Sequence, residues 1–443
     1  LIRTNFAHAP LPTQRRGESV LLLNPMKPAN TTLKWALTLF GLIGGTVGMI
    51  LHVRMTDFPI DMVIYREGVK AYLEGRSMYS EPMMAGDIAL PFIYPPFGAL
   101  AMVPLTAPDW ITHDMAGNIM NVLSDVLVFA CLYFIFRALL KDRTWLLPVV
   151  SLVWALTMAF EPIRLNNGFA QVNIVIMALV ILDLVPRKRW LPQGVLIGLA
   201  AAIKITPLAM LLYFLLRKEL KPILIAIGTA AAATLAAAAV RWQAFVEFFT
   251  SKLLDMGSGA DFGVATDYQS NSSLKAVVQR LFPSTESMEA NGTLINIIWL
   301  VLALAVVAVG SLLILALLKR NMLVDAQLVT ALVMLLISPV SWSHHWVWLA
   351  LVIPVFTYRA WTWRNNTWVA GSFLAVMAAW GAMVITVPPK WWFGDSIDVH
   401  GQPFYQKFLV DDFVWLTFIA VALFAYCLRY VTTSPAISRS AAK

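Results

Sequence analysis

Apolar runs recur along the chain at residues 33–53, 116–136, 144–160, 171–186, 191–203, 205–216, 222–240, 294–318, 322–337, 345–358, 366–386 and 413–431, with polar breaks between them. A helix needs roughly 20 apolar residues to cross a bilayer, so the longer runs read as spans and the shorter ones as broken or tilted spans. The pattern predicts an all-α polytopic membrane protein with about twelve transmembrane helices and a single integral domain. The runs 191–203 and 205–216 are each too short to span upright. Fusing them would reverse every later helix and put the basic clusters at 187–189 and 217–221 on opposite sides. A broken hairpin turning at Lys204-Ile205-Thr206-Pro207 avoids this, and Pro207 supplies the break. After the first run a polar loop is expected to about residue 90. The stretch Leu90-Pro91-Phe92-Ile93-Tyr94-Pro95-Pro96-Phe97-Gly98 then reads as loop and short helices on the membrane surface, because its paired prolines oppose one continuous helix.

Composition agrees with this reading: 59% of residues are apolar and 13% charged, with a mean hydropathy of +0.72. A soluble domain carries about 25% charged residues. Cys131 and Cys427 each lie inside an apolar run, so they offer neither a disulfide framework nor metal-ligand spacing. The net charge of +8 matters through where the cations fall. Arg137/Lys141/Arg143, Arg187/Lys188/Arg189, Arg217/Lys218/Lys221, Lys319/Arg320 and Arg359/Arg364 occupy short loops on the side of the N-terminus, which makes both termini cytoplasmic by the positive-inside rule. The organisation expected is a cytoplasmic tail 1–32, a transmembrane catalytic domain 33–431 and a cytoplasmic tail 432–443. The first run lacks a preceding small-residue cleavage site and reads as a retained helix. The opposite side collects the loops 54–115, 161–170, 241–293, 338–345 and 387–412. No basic run interleaved with aromatics points to nucleic acid. Walker, GxGxxG, HExxH and GxSxG motifs are missing too, which leaves nucleotide-driven transport, zinc hydrolysis and serine-esterase chemistry without support.

Four groups on the loop-rich side carry candidate chemistry. Asp57 and Asp61 follow the first span, and a carboxylate beside an apolar, partly dry pocket serves as a general base; solvated loop acids are the alternative. Lys204 sits alone between two apolar half-helices, where an unpaired ammonium is costly and marks a functional site by default. In Ser338-Pro339-Val340-Ser341-Trp342-Ser343-His344-His345-Trp346, adjacent histidines point in different directions on a helix, which suits one ligand contact and one structural bond better than a shared metal. Arg164, Asn166, Asn167, Gly168, Gln171 and Asn173 enter one span, and Gln269, Asn271, Ser272 and Ser273 lie in the longest loop. Such amides bind sugar hydroxyls or cap and tie helices.

The ordered set of motifs resembles glycosyltransferase family 87 over residues 33 to about 350. It comprises an acid ahead of Val63-Ile64-Tyr65, Gly75 to Tyr79, Tyr94-Pro95-Pro96 with Pro104, Gln171-Val172-Asn173, Lys204 with Pro207, and Ser338-Pro339 with His344-His345-Trp346. The resemblance implies the GT-C membrane fold and a polyprenyl-phosphate sugar donor. Within the family the chain looks most like actinobacterial polyprenol-phosphate-mannose-dependent α-1,2-mannosyltransferases that extend phosphatidylinositol mannosides and lipoglycans. The related arabinofuranosyltransferases share the Asp and Tyr-Pro-Pro motifs, and the Ser341 to His345 stretch inclines the reading to mannose. The resemblance carries the catalytic base onto Asp61, with Asp57 as the alternative. Lys204, His344, His345 and Arg164 are expected at the donor phosphate. Tyr65, Arg66, Tyr94, Asn167, Gln171, Asn173, Asn271, Ser341 and Trp342 are expected to contact substrate. No metal or cofactor is expected; the partners are the lipid-linked donor, a glycolipid acceptor and the bilayer. The location implied is the plasma (inner) membrane, with the active site on the extracytoplasmic face. A secondary transporter is the rival class, since a broken helix and an intramembrane lysine suit it; the long outer loops and the lack of similar halves do not.

Overall fold

The structure is a computed structural model that describes residues 28–56, 58–186, 188–258, 263–364 and 368–430. Asp57, Arg187 and most of both expected tails lie outside the described residues. The chain opens with α1 (Pro28–Met55) and α2 (Ile60–Glu74). An antiparallel hairpin, β1 (Met83–Ala85) and β2 (Ile88–Leu90), pairs Met84 with Ala89. Then follow α3 (Pro96–Met102), α4 (His113–Leu139), α5 (Leu146–Thr157), α6 (Glu161–Gly168), α7 (Asn173–Leu184), α8 (Val195–Ile203), α9 (Leu211–Leu216) and α10 (Leu220–Val240). Four short helices, α11 (Trp242–Glu247), α12 (Leu253–Ser258), α13 (Leu274–Arg280) and α14 (Thr285–Ala290), precede α15 (Gly292–Lys319) and α16 (Leu323–Ile337). The chain finishes with α17 (Leu349–Thr362), α18 (Trp368–Ile385), α19 (Phe404–Val410) and α20 (Asp412–Cys427).

Each apolar run forms helix, but helix length yields fewer crossings than the run count. Among the described residues, α1, α4, α10, α15 and α18 are long and apolar enough to cross a membrane. The number rises to 7 if the bent pairs α5–α6 (65°) and α19–α20 (71°) each count as one span. Helices such as α7 with 12 residues and α16 with 15 residues reach only about 18–22 Å at 1.5 Å per residue. They are buried by their neighbours, so their apolar surface packs on protein: α16 is buried from Val324 to Leu336.

The helices pack where small residues permit close approach. Gly41, Gly45 and Gly48 line the face of α1 that meets α5. A Cβ at Gly41 would stand 2.5 Å from the Ser151 backbone, and one at Gly45 would stand 2.1 Å from the Trp154 ring. Small residues four apart are how helices gain van der Waals contact in lipid, where water supplies no drive.

The stretch after α1 corrects one expectation. In place of a polar loop the structure has the 15-residue helix α2, with Met62, Val63, Ile64, Tyr65, Val69 and Tyr72 buried. Its charged positions, Glu67, Lys70 and Glu74, lower its mean hydropathy, and its apolar face turns to protein. Gly75 ends it in the left-handed conformation (φ +80), its N–H bonding the Ala71 carbonyl, as a helix C-terminus favours.

The long loops on this side are held by buried charges. The Arg280 guanidinium pairs with Asp411 and donates to the Asp267, Tyr268 and Asn271 carbonyls. Lys390 meets Asp412 at 3.0 Å, Ser272 Oγ at 2.7 Å and Ser343 Oγ at 3.2 Å. These contacts tie residues 267–280, 343 and 390–412 into one lid-like layer over the helix ends.

Candidate active site

A cavity of about 720 Å³ opens under that layer, where α1 gives way to α2. Asp61, Tyr65, Tyr94, Arg164, Gln171, Trp342, His344 and His345 line it. Four stretches far apart in sequence, 61–65, 94, 164–171 and 342–345, supply these residues.

Asp61 stands in the first turn of α2, where the helix dipole favours a carboxylate. Tyr65, four residues on, falls on the same face. Its hydroxyl donates to Gln171 Oε1 at 2.6 Å and meets the Tyr94 hydroxyl at 2.9 Å. Tyr94 donates to the same oxygen at 3.1 Å. It is delivered by Pro95 and Pro96, which start α3, with Pro96 at the first helical position where a missing N–H costs nothing. Gln171 and Asn173 come from the turn between α6 and α7, in which buried Ala170 holds φ +54. That conformation is uncommon for a residue with a side chain and persists only where the surroundings dictate it.

Lys204 follows the last residue of α8 in extended conformation (φ −149, ψ 131), at the predicted break and outside the spanning segments. Its ammonium donates to Asn173 Oδ1 at 2.9 Å and contacts His345 Nε2 at 3.1 Å. An ammonium only donates, so Asn173 turns its oxygen to Lys204 and its amide nitrogen to the His344 carbonyl (3.3 Å) and Gln171 Oε1 (3.3 Å). With its oxygen taken by three donors, Gln171 has only its N–H groups to offer Asp61, whose pKa it lowers. The same reasoning gives His345 its proton on Nδ1, since Nε2 accepts from Lys204. Hydrogen bonds thus run from Lys204 through Asn173 to Gln171, whose amide in turn holds the Asp61 carboxyl down. Two of the three ammonium protons are committed, and the third has no protein acceptor among the described residues.

Burial raises the Asp61 pKa from 3.8 to about 6; the Gln171 hydrogen bond and the Lys204 charge oppose the rise. Burial likewise lowers Lys204 to about 7, opposed by Asp61. A carboxylate tuned close to neutrality beside a cation with a free donor accepts a proton from one substrate and supports charge on another. His344 lies edge-on to Phe169 (5.3 Å between ring centres) and to His345 (4.8 Å), with its Nδ1 unpartnered. Arg164 is exposed on the cavity wall, its Nη2 donating to the Thr386 carbonyl at 3.2 Å. Among the described residues no three His, Cys, Asp or Glu side chains group as metal ligands.

Five expected substrate contacts are not brought to the cavity lining, and Lys204 also stands just behind it. The Arg66 guanidinium donates to the Leu105 and Ile111 carbonyls and braces the segment before α4. Asn167 is fully buried behind the wall, donating to Asp125 Oδ1 at 2.7 Å beside His52. Asn271 accepts from the Ser341 N–H at 2.8 Å, and the Ser341 hydroxyl donates to the Leu335 carbonyl at 2.7 Å. Asn173 acts through Lys204 from behind the lining. Conversely, Glu161, Tyr268, Ser270 and Asp395 line the cavity without having been singled out, beside Trp391 of the expected outer loop 387–412. Glu161 is 5% exposed and accepts from Trp391 Nε1 at 2.8 Å. A lone acid beside apolar sequence was the signal available for it, and it was available for Asp125, which meets His52 Nδ1 at 2.9 Å.

The model of glycosyltransferase family 87 matches residues 92–339, a range that contains Tyr94, Gln171 and Lys204 but neither Asp61 nor the two histidines. A polyprenol-phosphate-mannose-dependent α-(1-2)-phosphatidylinositol mannoside mannosyltransferase of Mycolicibacterium smegmatis is 33% identical over 384 residues, covering 81% of this chain and 82% of that protein. The protein of the same description from Mycobacterium tuberculosis is 31% identical over 326 residues, covering 70% of this chain and 73% of its own. Among solved structures, ArnT from Cupriavidus metallidurans bound to undecaprenyl phosphate superposes with a TM-score of 0.36 at 11% identity, over 90% of this chain and 78% of that one. That superposition is too loose to bear on the site.

Proposed function

Since the chain belongs to glycosyltransferase family 87, we propose that it transfers mannose from polyprenyl-phosphate mannose to a lipid-anchored mannoside, forming an α-1,2 linkage with inversion. The observation that carries the mechanism is the placing of Asp61 and Gln171 on the cavity wall, with Lys204 bonded through Asn173 to Gln171 just behind it. Asp61 takes the proton of the acceptor hydroxyl as it attacks C1 of the donor sugar. The C1–O bond to phosphate breaks, and the free ammonium proton of Lys204 meets the charge that develops on the leaving phosphate. His345 and Asn173 hold that ammonium in place, while His344 and Arg164 complete the phosphate side. Tyr65, Tyr94 and Trp342 wall the sugar position. The relatives' printed donor and acceptor support mannose over arabinose. The distribution of basic loops supports cytoplasmic termini, about twelve crossings and an extracytoplasmic site in the plasma membrane.

The test is transfer by purified protein in detergent, with polyprenyl-phosphate mannose and polyprenyl-phosphate arabinose offered separately to a short phosphatidylinositol mannoside. Product from mannose alone is expected. Product from arabinose alone, or solute uptake into vesicles without transfer, would overturn the proposal.

The same assay yields a pH profile with a defined sign. Asp61 works only as carboxylate, so kcat/KM rises as pH passes through about 6. Lys204 works only as ammonium, so kcat/KM falls again as pH passes through about 7. Gln171→Leu removes a donor that stabilises the carboxylate, so its acid limb moves to higher pH. A profile whose acid limb is unchanged in Gln171→Leu would remove Gln171 from the relay.

A further inference from the structure

A second cavity of about 530 Å³ adjoins the first, with Val264 in the wall of both. It lies between α13, α14 and the start of α15. Its lining is hydrophilic, with Thr266, Lys275, Gln279 and Asn296 among the contributors. Lys275 is only 9% exposed. Its Nζ lies 5.4 Å from the centre of the Trp299 ring, and among the described residues it has neither an ion-pair partner nor a hydrogen-bond acceptor. The other buried lysines differ: Lys390 pairs with Asp412, and Lys34 bonds Thr144 close to Asp142. Among the described residues, Lys204 near the reaction site has a comparable unclaimed donor.

Two more features favour an anion here. The cavity reaches Gly292, the first residue of the 28-residue helix α15. The Asn291 side chain donates back to the Ser287 carbonyl and does not cap that helix, so the positive end of the helix dipole is open to the cavity. Among the described residues, the two acids on this wall make no ion pair with Lys275: Asp267 is bonded to His400 Nε2 at 2.8 Å, and Glu289 is an exposed rim residue.

We infer that this cavity binds the phosphodiester of the acceptor lipid, with Lys275 and the N-terminus of α15 on the phosphate oxygens and Thr266, Gln279 and Asn296 on adjoining hydroxyls. The inference rests on the mannosyl-transfer reading above and deepens it. Two lipid substrates bring two phosphates: the donor's is the leaving group and belongs beside Lys204, while the acceptor's lies at the far end from its reacting mannose. Lys204, with one ammonium proton unclaimed, and Lys275 match that separation, and Val264 marks where the acceptor's glycan would pass into the reaction cavity.

The experiment compares wild type, Lys275→Met and Lys275→Arg in detergent with two acceptors, a phosphatidylinositol mannoside and an alkyl α-mannoside lacking phosphate. Lys275→Met is expected to raise KM for the phosphodiester-bearing acceptor about 10- to 100-fold, the size of a lost charge-assisted contact, without moving KM for the alkyl mannoside. Lys275→Arg should recover most of the loss. A purely structural lysine would lower Tm and affect both acceptors alike, which would overturn the inference. A separate binding arm uses the Tm rise on adding phosphatidylinositol or inorganic phosphate. A rise with phosphatidylinositol that is lost in Lys275→Met supports the inference; an equal rise with inorganic phosphate, or none, overturns it. If wild type transfers to neither acceptor, the mannosyl-transfer reading fails, and this arm still decides whether the cavity holds a lipid phosphate.

Discussion

Asp61→Asn is expected to lower turnover about 10²- to 10⁴-fold, the span of a positioned general base, while the folded protein and its donor binding persist. Asparagine keeps the side-chain shape and an oxygen for the Gln171 N–H, so the relay through Asn173 to Lys204 is retained and only the basic oxygen is lost. Stability should not suffer. Because the Asp61 pKa rises from 3.8 to about 6 on folding, the carboxylate's contribution is most favourable below pH 3.8 and declines as pH rises through 3.8 to about 6. At pH 7 its charge therefore weighs against the fold, and the neutral amide relieves that. Turnover measured together with Tm in detergent checks both halves. Near-normal turnover in Asp61→Asn would move the base to another group, with Glu161 the next carboxylate on the cavity wall.

Lys204→Met is expected to reduce kcat about 10²- to 10³-fold, as removal of a donor aimed at developing negative charge does. The leaving phosphate gains charge only as the C1–O bond breaks, so the larger loss should fall on kcat, with a smaller rise in donor KM. Folding consequences are mild because two effects oppose each other. Removing an ammonium buried to a pKa of about 7 relieves desolvation. Against that, Asn173 Oδ1 and His345 Nε2 lose their donor, at about 1–3 kcal/mol for each polar group left unsatisfied. Lys204→Arg restores charge, but its planar fork does not reproduce three tetrahedral donors, so partial recovery is expected. Equal losses in kcat and in the apparent affinity for uncharged mannosides would assign Lys204 to general packing.

The limits of sequence reading follow from what each signal measures. Hydropathy registers the side chains a helix offers to lipid, so α1, α4, α10, α15 and α18 were legible, and so was the break at Lys204, because proline and a lone charge both interrupt a run. The same measure passed over α2, whose buried residues face protein and whose charged positions dilute the average. Residue type marked candidates for chemistry, and of these Asp61, Gln171 and the His344-His345 pair come together on the cavity wall with Lys204 just behind. Side-chain direction was not legible. Asn167, Asn271, Ser341 and Arg66 have the same hydrogen-bonding repertoire as lining residues, yet they spend it on carbonyls, backbone N–H groups and neighbouring side chains inside the scaffold. Lys275 and Glu161 went unnoticed for the converse reason, since each stands alone in sequence and gains meaning only from a cavity built by distant segments. The sequence by itself determined a helical membrane protein, its family and the order of its chemical groups, all of which depend on local composition. Which of those groups meet was decided by tertiary packing alone: hydrogen bonds reach about 3 Å, and only the folded chain brings Asp61, Gln171, Asn173, Lys204 and His345 within a few such steps of one another.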